Sequence, residues 1–278
     1  MERGVIRSFT NSIKEVPMEK ISTILVPFDF SNTAKAALEY AASFVGDNKN
    51  MDIHLAYVTQ KPDLNKLKEA FALEQEKYKK RLKRPVKWIT AWGSLQESLV
   101  KIEETRNIEL VIMGTSGAFE KKDPTFSNTS KFVLESQVPV LVIPKKPREF
   151  QIKNIALVLG KEEIDDKKVL QKLLKIANTF NAKVHVLTIE NTSDMYGYSK
   201  ADQKNENLLE YYLESFYSDH TFLENPDVVK GILAHAIDKE MDIIAILPRN
   251  HAKRGNPSEG RLTELLTLQS PIPILALV

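Results

Sequence analysis

Cysteine is absent from all 278 residues. That excludes a disulfide framework, thiol catalysis and thiolate metal sites, and makes a reducing, cytoplasmic setting the expectation. No stretch approaches the 18 consecutive apolar residues of a spanning helix. The opening segment, MERGVIRSFTNSIKEVPMEK, is broken by charges throughout, so it reads as neither a membrane span nor a secretory signal; residues 1–18 are expected to be a flexible leader. No G-x-x-x-x-G-K-[ST] loop is present. Ser116 lies in GTSG rather than in a nucleophile elbow, with no Asp or His placed beside it. The five histidines show no ligand spacing, so no metal site is expected. There is no nucleic-acid signature either. The basic run KKRLKRPVK, Lys79 to Lys87, reads as a solvated face at a helix end.

What the chain does contain is a duplication. ISTILVPFDFS from Ile21, MDIHLAYV from Met51, IELVIMGTSG from Ile108 and VPVLVIP from Val138 recur in the same order as IKNIALVLGKE from Ile152, AKVHVLTI from Ala182, MDIIAILPRN from Met241 and IPILALV from Ile272. His54 and His185 fall at matching strand positions 131 residues apart, the spacing of a domain rather than of a solenoid repeat. Their recurrence argues for a structural role. The net charge of +2 conceals an asymmetry: 24 Lys and Arg face 18 Asp and Glu through Arg148, against 15 and 19 afterwards.

Short runs rich in Val and Ile alternate with amphipathic stretches of ten to twenty residues, the pattern of βαβ crossovers over a buried, mostly parallel sheet. Each half is therefore predicted to be an α/β sandwich, with domains at 19–146 and 151–278 joined by the charged, Pro-bearing KKPREF. A helix capped by Ser31 or Asn32 should bury Ala37, Leu38, Ala41, Phe44 and Val45 and stop at Gly46. Its counterpart is expected from Ile164 to Phe180. The two final strands are short apolar edges, and pairing them with each other is the economical way to cover both.

Two places could carry chemistry. In IELVIMGTSG a strand ends in Gly114 and Gly117, which would let backbone N–H groups approach a phosphate, although two glycines after a strand also make a plain turn. Beyond them Phe126-Ser127-Asn128-Thr129 precedes a helix, where Ser127 or Asn128 serves equally as an anion contact or a cap. Asp29 ends the first strand, at the sheet edge where open parallel sheets place the ligand crevice, or else caps a local turn.

With Asp29, Gly114-x-x-Gly117 and a Ser127-bearing helix start before VPVLVIP, the chain resembles the universal stress protein family, here as a tandem over residues 19 to 278. The resemblance implies two tandem open parallel-sheet sandwich domains of the adenine-nucleotide α-hydrolase-like α/β class. It implies that Pro27 and Asp29 meet adenine and ribose, that Met113, Gly114 and Gly117 line the phosphate turn, and that Ser127 binds phosphate. ATP or another adenine nucleotide would then bind weakly, in the N-terminal domain alone, with a metal only alongside the nucleotide and at most slow ATPase activity. A stress-response role follows from the resemblance only. The family pattern places nine residues before a Gly-[ST] pair. Here eight residues precede Phe126, which takes the later glycine's place. In the second half Gly160 replaces the aspartate and Leu247-Pro248-Arg249-Asn250 replaces the glycine turn, so that domain is expected to be a degenerate partner. The rival expectation is a regulatory protein with vestigial pockets that binds another protein. Association is expected through pairing of the two domains or as a homodimer, with neither nucleic acid nor membrane.

Overall fold

A computed structural model describes residues 21–60, 63–116, 127–160, 162–164, 166–190, 199–248 and 259–278. The leader, Gly117, Phe126 and the pair Arg249-Asn250 lie outside the described residues. The first half runs β1 (Thr23–Pro27), α1 (Asn32–Val45), β2 (Asp52–Val58), α2 (Leu64–Tyr78), β3 (Lys87–Ala91), α3 (Leu95–Arg106), β4 (Leu110–Gly114), α4 (Asn128–Glu135) and β5 (Val140–Ile143). The second runs β6 (Asn154–Leu159), α5 (Lys168–Phe180), β7 (Lys183–Glu190), α6 (Lys200–Leu213), β8 (Tyr217–Glu224), α7 (Val228–Asp238), β9 (Ile243–Ile246), α8 (Glu259–Gln269) and β10 (Ile274–Ala276).

All ten strands form one sheet in the order β3-β2-β1-β4-β5-β10-β9-β6-β7-β8, so the second half repeats the spatial order of the first in mirror sequence about the centre. Within each half neighbouring strands are parallel. Among the described residues the seam is the one antiparallel pairing, with Ile274, Leu275 and Ala276 opposite Val142, Leu141 and Val140. The final strands thus cover each other, as expected of two short apolar edges, and the sheets of the two halves are continuous. One core layer lies under α1, α2, α5 and α6, and a second under α3, α4, α7 and α8.

Local chemistry explains the element ends. Ser31 caps α1 by accepting from the Ala34 N–H at 3.2 Å, and Gly46 ends it at φ 51°, a conformation that costs a residue with a Cβ. The predicted apolar face of α1 is buried throughout. The helix expected from Ile164 begins instead at Lys168. At that start Asp166 Oδ1 accepts from Lys168 N at 2.9 Å, a local turn, while the side chain of Asn205 in α6 accepts from Ile164 N at 2.9 Å and donates to Glu162 O at 2.9 Å, tying down the segment before it.

Equivalent devices recur in both halves. The Glu109 carboxylate accepts from Ser22 N at 2.7 Å, and the Asp242 carboxylate accepts from Lys153 N at 2.7 Å and Asn154 N at 2.9 Å, each holding the start of a first strand. Ser136 bridges to Val138 and Ser270 to Ile272 in the turns before β5 and β10. Between the halves α1 and α5 meet ring to ring, with Phe44 and Phe180 centroids 4.7 Å apart and Phe150 packed 4.9 Å from Tyr40.

Candidate functional site

The strand order reverses direction between β1 and β4, with β2 on one side and β5 on the other. At such a switch point the connections leave in opposite directions and open a crevice beyond the carboxyl ends of the strands. Asp29 lies just past β1, exposed, with one carboxylate oxygen accepting from Ser31 N at 3.0 Å. The following residue, Phe30, has φ 64°, a left-handed conformation costing a non-glycine residue about 1–2 kcal/mol. Packing offsets that cost: the Phe30 ring lies 5.0 Å from Phe28 and 4.9 Å from Phe71, which stacks on Trp88 at 4.8 Å. Aromatic pairs of this kind contribute about 0.5–1.5 kcal/mol each beyond the area they bury. Asp29 is therefore held between two anchored rings.

On the other wall, β4 ends at Gly114. A Cβ there would lie 2.3 Å from the backbone oxygen of Thr33 and 2.7 Å from its carbonyl carbon, so the missing side chain lets the first turn of α1 close onto β4. The Gly114 carbonyl accepts from the Thr129 hydroxyl at 3.1 Å, which draws the start of α4 to the same edge. Ser127 caps α4, accepting from Ser130 N at 3.0 Å and lying 3.0 Å from the Ser130 hydroxyl. The amino ends of α1 and α4 thus converge beside Asp29, and helix amino ends favour an anion by their unpaired N–H groups and dipoles.

The sequence-predicted residues divide by what they present. Asp29 is exposed and Ser127 half-buried, whereas Pro27 and the Met113 side chain are buried, leaving those two only backbone with which to face a ligand. Gly117 falls outside the described residues. Thr33, whose backbone meets Gly114, escaped sequence reasoning, its place in the first turn of a capped helix being the available signal; Thr129 stood in the predicted hydroxyl cluster, but its bond to Gly114 O was not foreseen. In the second half Gly160 stands after β6 with no carboxylate, and Leu247 and Pro248 are buried after β9. Proline also removes a donor from that turn. Among the described residues no group of His, Cys, Asp and Glu is arranged to hold a metal, and no helix is long and apolar enough to cross a membrane.

Comparison with known proteins agrees with this architecture. The sequence model of the universal stress protein family matches residues 20–144. A universal stress protein of Methanocaldococcus jannaschii is 28% identical over 154 residues, covering 44% of this chain and 94% of that protein. The crystal structure of a universal stress protein from Archaeoglobus fulgidus superposes with TM-score 0.66 at 16% identity, over 93% of this chain and 98% of that one. A putative universal stress protein from Pseudomonas aeruginosa gives 0.60 at 16% identity, over 92% and 93%. At such identities the last two likenesses concern the fold, and they span both halves. Residues 20–144 thus match the universal stress protein family in sequence, and the whole length resembles proteins of that name in fold.

Proposed function

We propose that this is a tandem universal stress protein, with domains at 19–146 and 151–278, whose N-terminal domain binds an adenine nucleotide weakly while the C-terminal domain is a degenerate structural partner. The observation that carries the reading is the convergence, at the β1–β4 switch point, of an exposed Asp29 with the amino ends of α1 and α4 around Gly114. A carboxylate suits the donors of a ribose or base, and two helix amino ends suit phosphate oxygens. Ser127 and the Gly114–Gly117 turn would take the phosphates, with Met113 and Pro27 contributing backbone. The role is binding in a cytoplasmic stress response, with turnover of ATP slow at most.

Titration calorimetry with ATP is expected to give one site per chain, weakened at least about tenfold by Asp29→Ala, equivalent to about 1.4 kcal/mol. Two equivalent sites, or no saturable binding by a folded chain, would refute it. The second reading, a regulatory protein with vestigial pockets, is favoured by the buried Leu247-Pro248 turn of the second half. Universal stress proteins commonly form homodimers. In this chain the β5–β10 seam joins the two domains within one molecule, and that seam is the association we assign to it.

A further inference from the structure

The two halves meet differently on the two sides of their joint. Where α1 reaches the second half, the Phe150 ring packs 4.9 Å from Tyr40 and 5.8 Å from Phe180. Where α5 reaches the first half there is instead a cavity of about 160 Å³, at the amino ends of β1, β4 and β5. Ile21, Ile108, Leu110, Val138 and Ile176 form its apolar walls, and Glu109, Lys172 and Lys175 also line it. Those three charged heads are already engaged. Glu109 accepts from Ser22 N at 2.7 Å and from the Ser22 hydroxyl at 2.6 Å, Lys175 Nζ stands 3.6 Å from Glu109, and Lys172 donates to the carbonyls of Gln137 and Val278.

We propose that this cavity is a binding site for a neutral hydrocarbon of benzene size, distinct from the nucleotide crevice at the carboxyl ends of the same strands. Volume sets the size. An apolar cavity of about 150 Å³ lined by Leu, Ile and Phe takes up benzene, and the space here matches it in volume and in the aliphatic character of its walls. It falls below the roughly 300–1,000 Å³ of sites for larger ligands, which excludes a nucleotide. The engaged heads set the charge. An entering carboxylate or ammonium would give up its hydration and find every opposite charge already paired, whereas a hydrocarbon surrenders no polar contact and buries its surface against the walls. The same joint already holds one phenyl ring, that of Phe150, on its other side. Because the walls come from strands of one half and a helix of the other, occupancy stabilises their union by mass action.

The test is titration of the full chain with benzene, benzoate and benzylammonium, one ring carrying three charges, followed by calorimetry and by methyl NMR shifts. Benzene is expected to bind once per chain and at least about tenfold more tightly than either ion. The methyl signals of Ile108, Val138 and Ile176 should shift and saturate with the calorimetric constant, and Val138→Phe should remove binding by filling the space. No saturable binding of benzene, an ion bound as tightly, shifts centred away from these three residues, or undiminished binding to a folded Val138→Phe chain would overturn the proposal. If Val138→Phe fails to fold, Ile108→Phe fills the same cavity from the β4 side, and the methyl shifts of the natural chain decide without either variant.

Discussion

Replacing Gly114 by alanine tests whether the crevice depends on the closure of α1 onto β4. The added methyl would lie 2.3 Å from the Thr33 oxygen and 2.7 Å from its carbonyl carbon, where ordinary contact begins at 3.4 Å, so strand and helix must part by about an ångström. The methyl meets main-chain atoms, and no rotamer relieves the clash. Overpacking of this kind costs about 1–3 kcal/mol. Gly114 does not occupy the left-handed region, so alanine recovers about 0.4–1 kcal/mol by restricting the unfolded chain. The net loss of about 1–2 kcal/mol should lower Tm by about 4–10 °C for a domain of this size. Thermal unfolding followed by circular dichroism measures it, with Thr33→Ala in the same background as control. Because the contact is with the Thr33 backbone, that second change should restore nothing. A Gly114→Ala chain melting within about 1 °C of its parent, or rescued by Thr33→Ala, would refute the reasoning.

Further outcomes are expected elsewhere in the fold. Buried Glu103 accepts from the Ser136 hydroxyl at 2.6 Å and Gln137 N at 3.1 Å, so Glu103→Ala should cost about 1–3 kcal/mol in urea unfolding by removing hydrogen bonds to a carboxylate acceptor. The Tyr40 hydroxyl is buried without a hydrogen-bond partner among the described residues, and burial, aided by Asp242, pushes its pKa well above the usual 10.0. Its neutral form is therefore favoured on folding: this contribution is fully present below pH 10 and is lost as pH rises through the higher folded value. Tyr40→Phe should be at least as stable as the parent at pH 7 and should lose less stability above pH 10, as read by denaturant midpoints across that range. Burial likewise holds His54 and His220 below 6.5, with Lys87 adding to the effect at His54. Their contribution is present above pH 6.5 and lost as pH falls, so His54→Gln should flatten the acid limb of the stability curve. Finally, Leu275→Asp places a charge in the β5–β10 seam opposite Leu141; calorimetry should then show two unfolding transitions, with proteolytic cleavage between Lys145 and Phe150.

Much of the architecture was legible because it rests on local signals that repeat. The Val- and Ile-rich runs, the Ser31 cap, the Gly46 stop and the matched order of segments in the two halves each carry their physics within a few residues, and the sheet order agrees with them. The pairing of the last strands was also inferable, since two short apolar edges in one chain need a cover. Asp29 could be picked out because the end of a first parallel strand is a ligand edge in any such sheet. The remainder depended on residues distant in sequence. Asn205 binds the segment before α5 from 41 and 43 positions away; nothing near Ile164 shows that contact. The role of Gly114 belongs to Thr33, which the β1–α1 turn brings to within a bond length or two of a Cβ that is not there. The rings of Phe30, Phe71 and Trp88 come from separate elements and hold the backbone beside Asp29 only once packed. Sequence alone determined the periodicity, the caps and the duplication, because hydrogen bonding and burial act there over one turn or one strand. Tertiary structure decided which groups face one another across the crevice and between the halves, because close packing sets those distances and no local pattern encodes them.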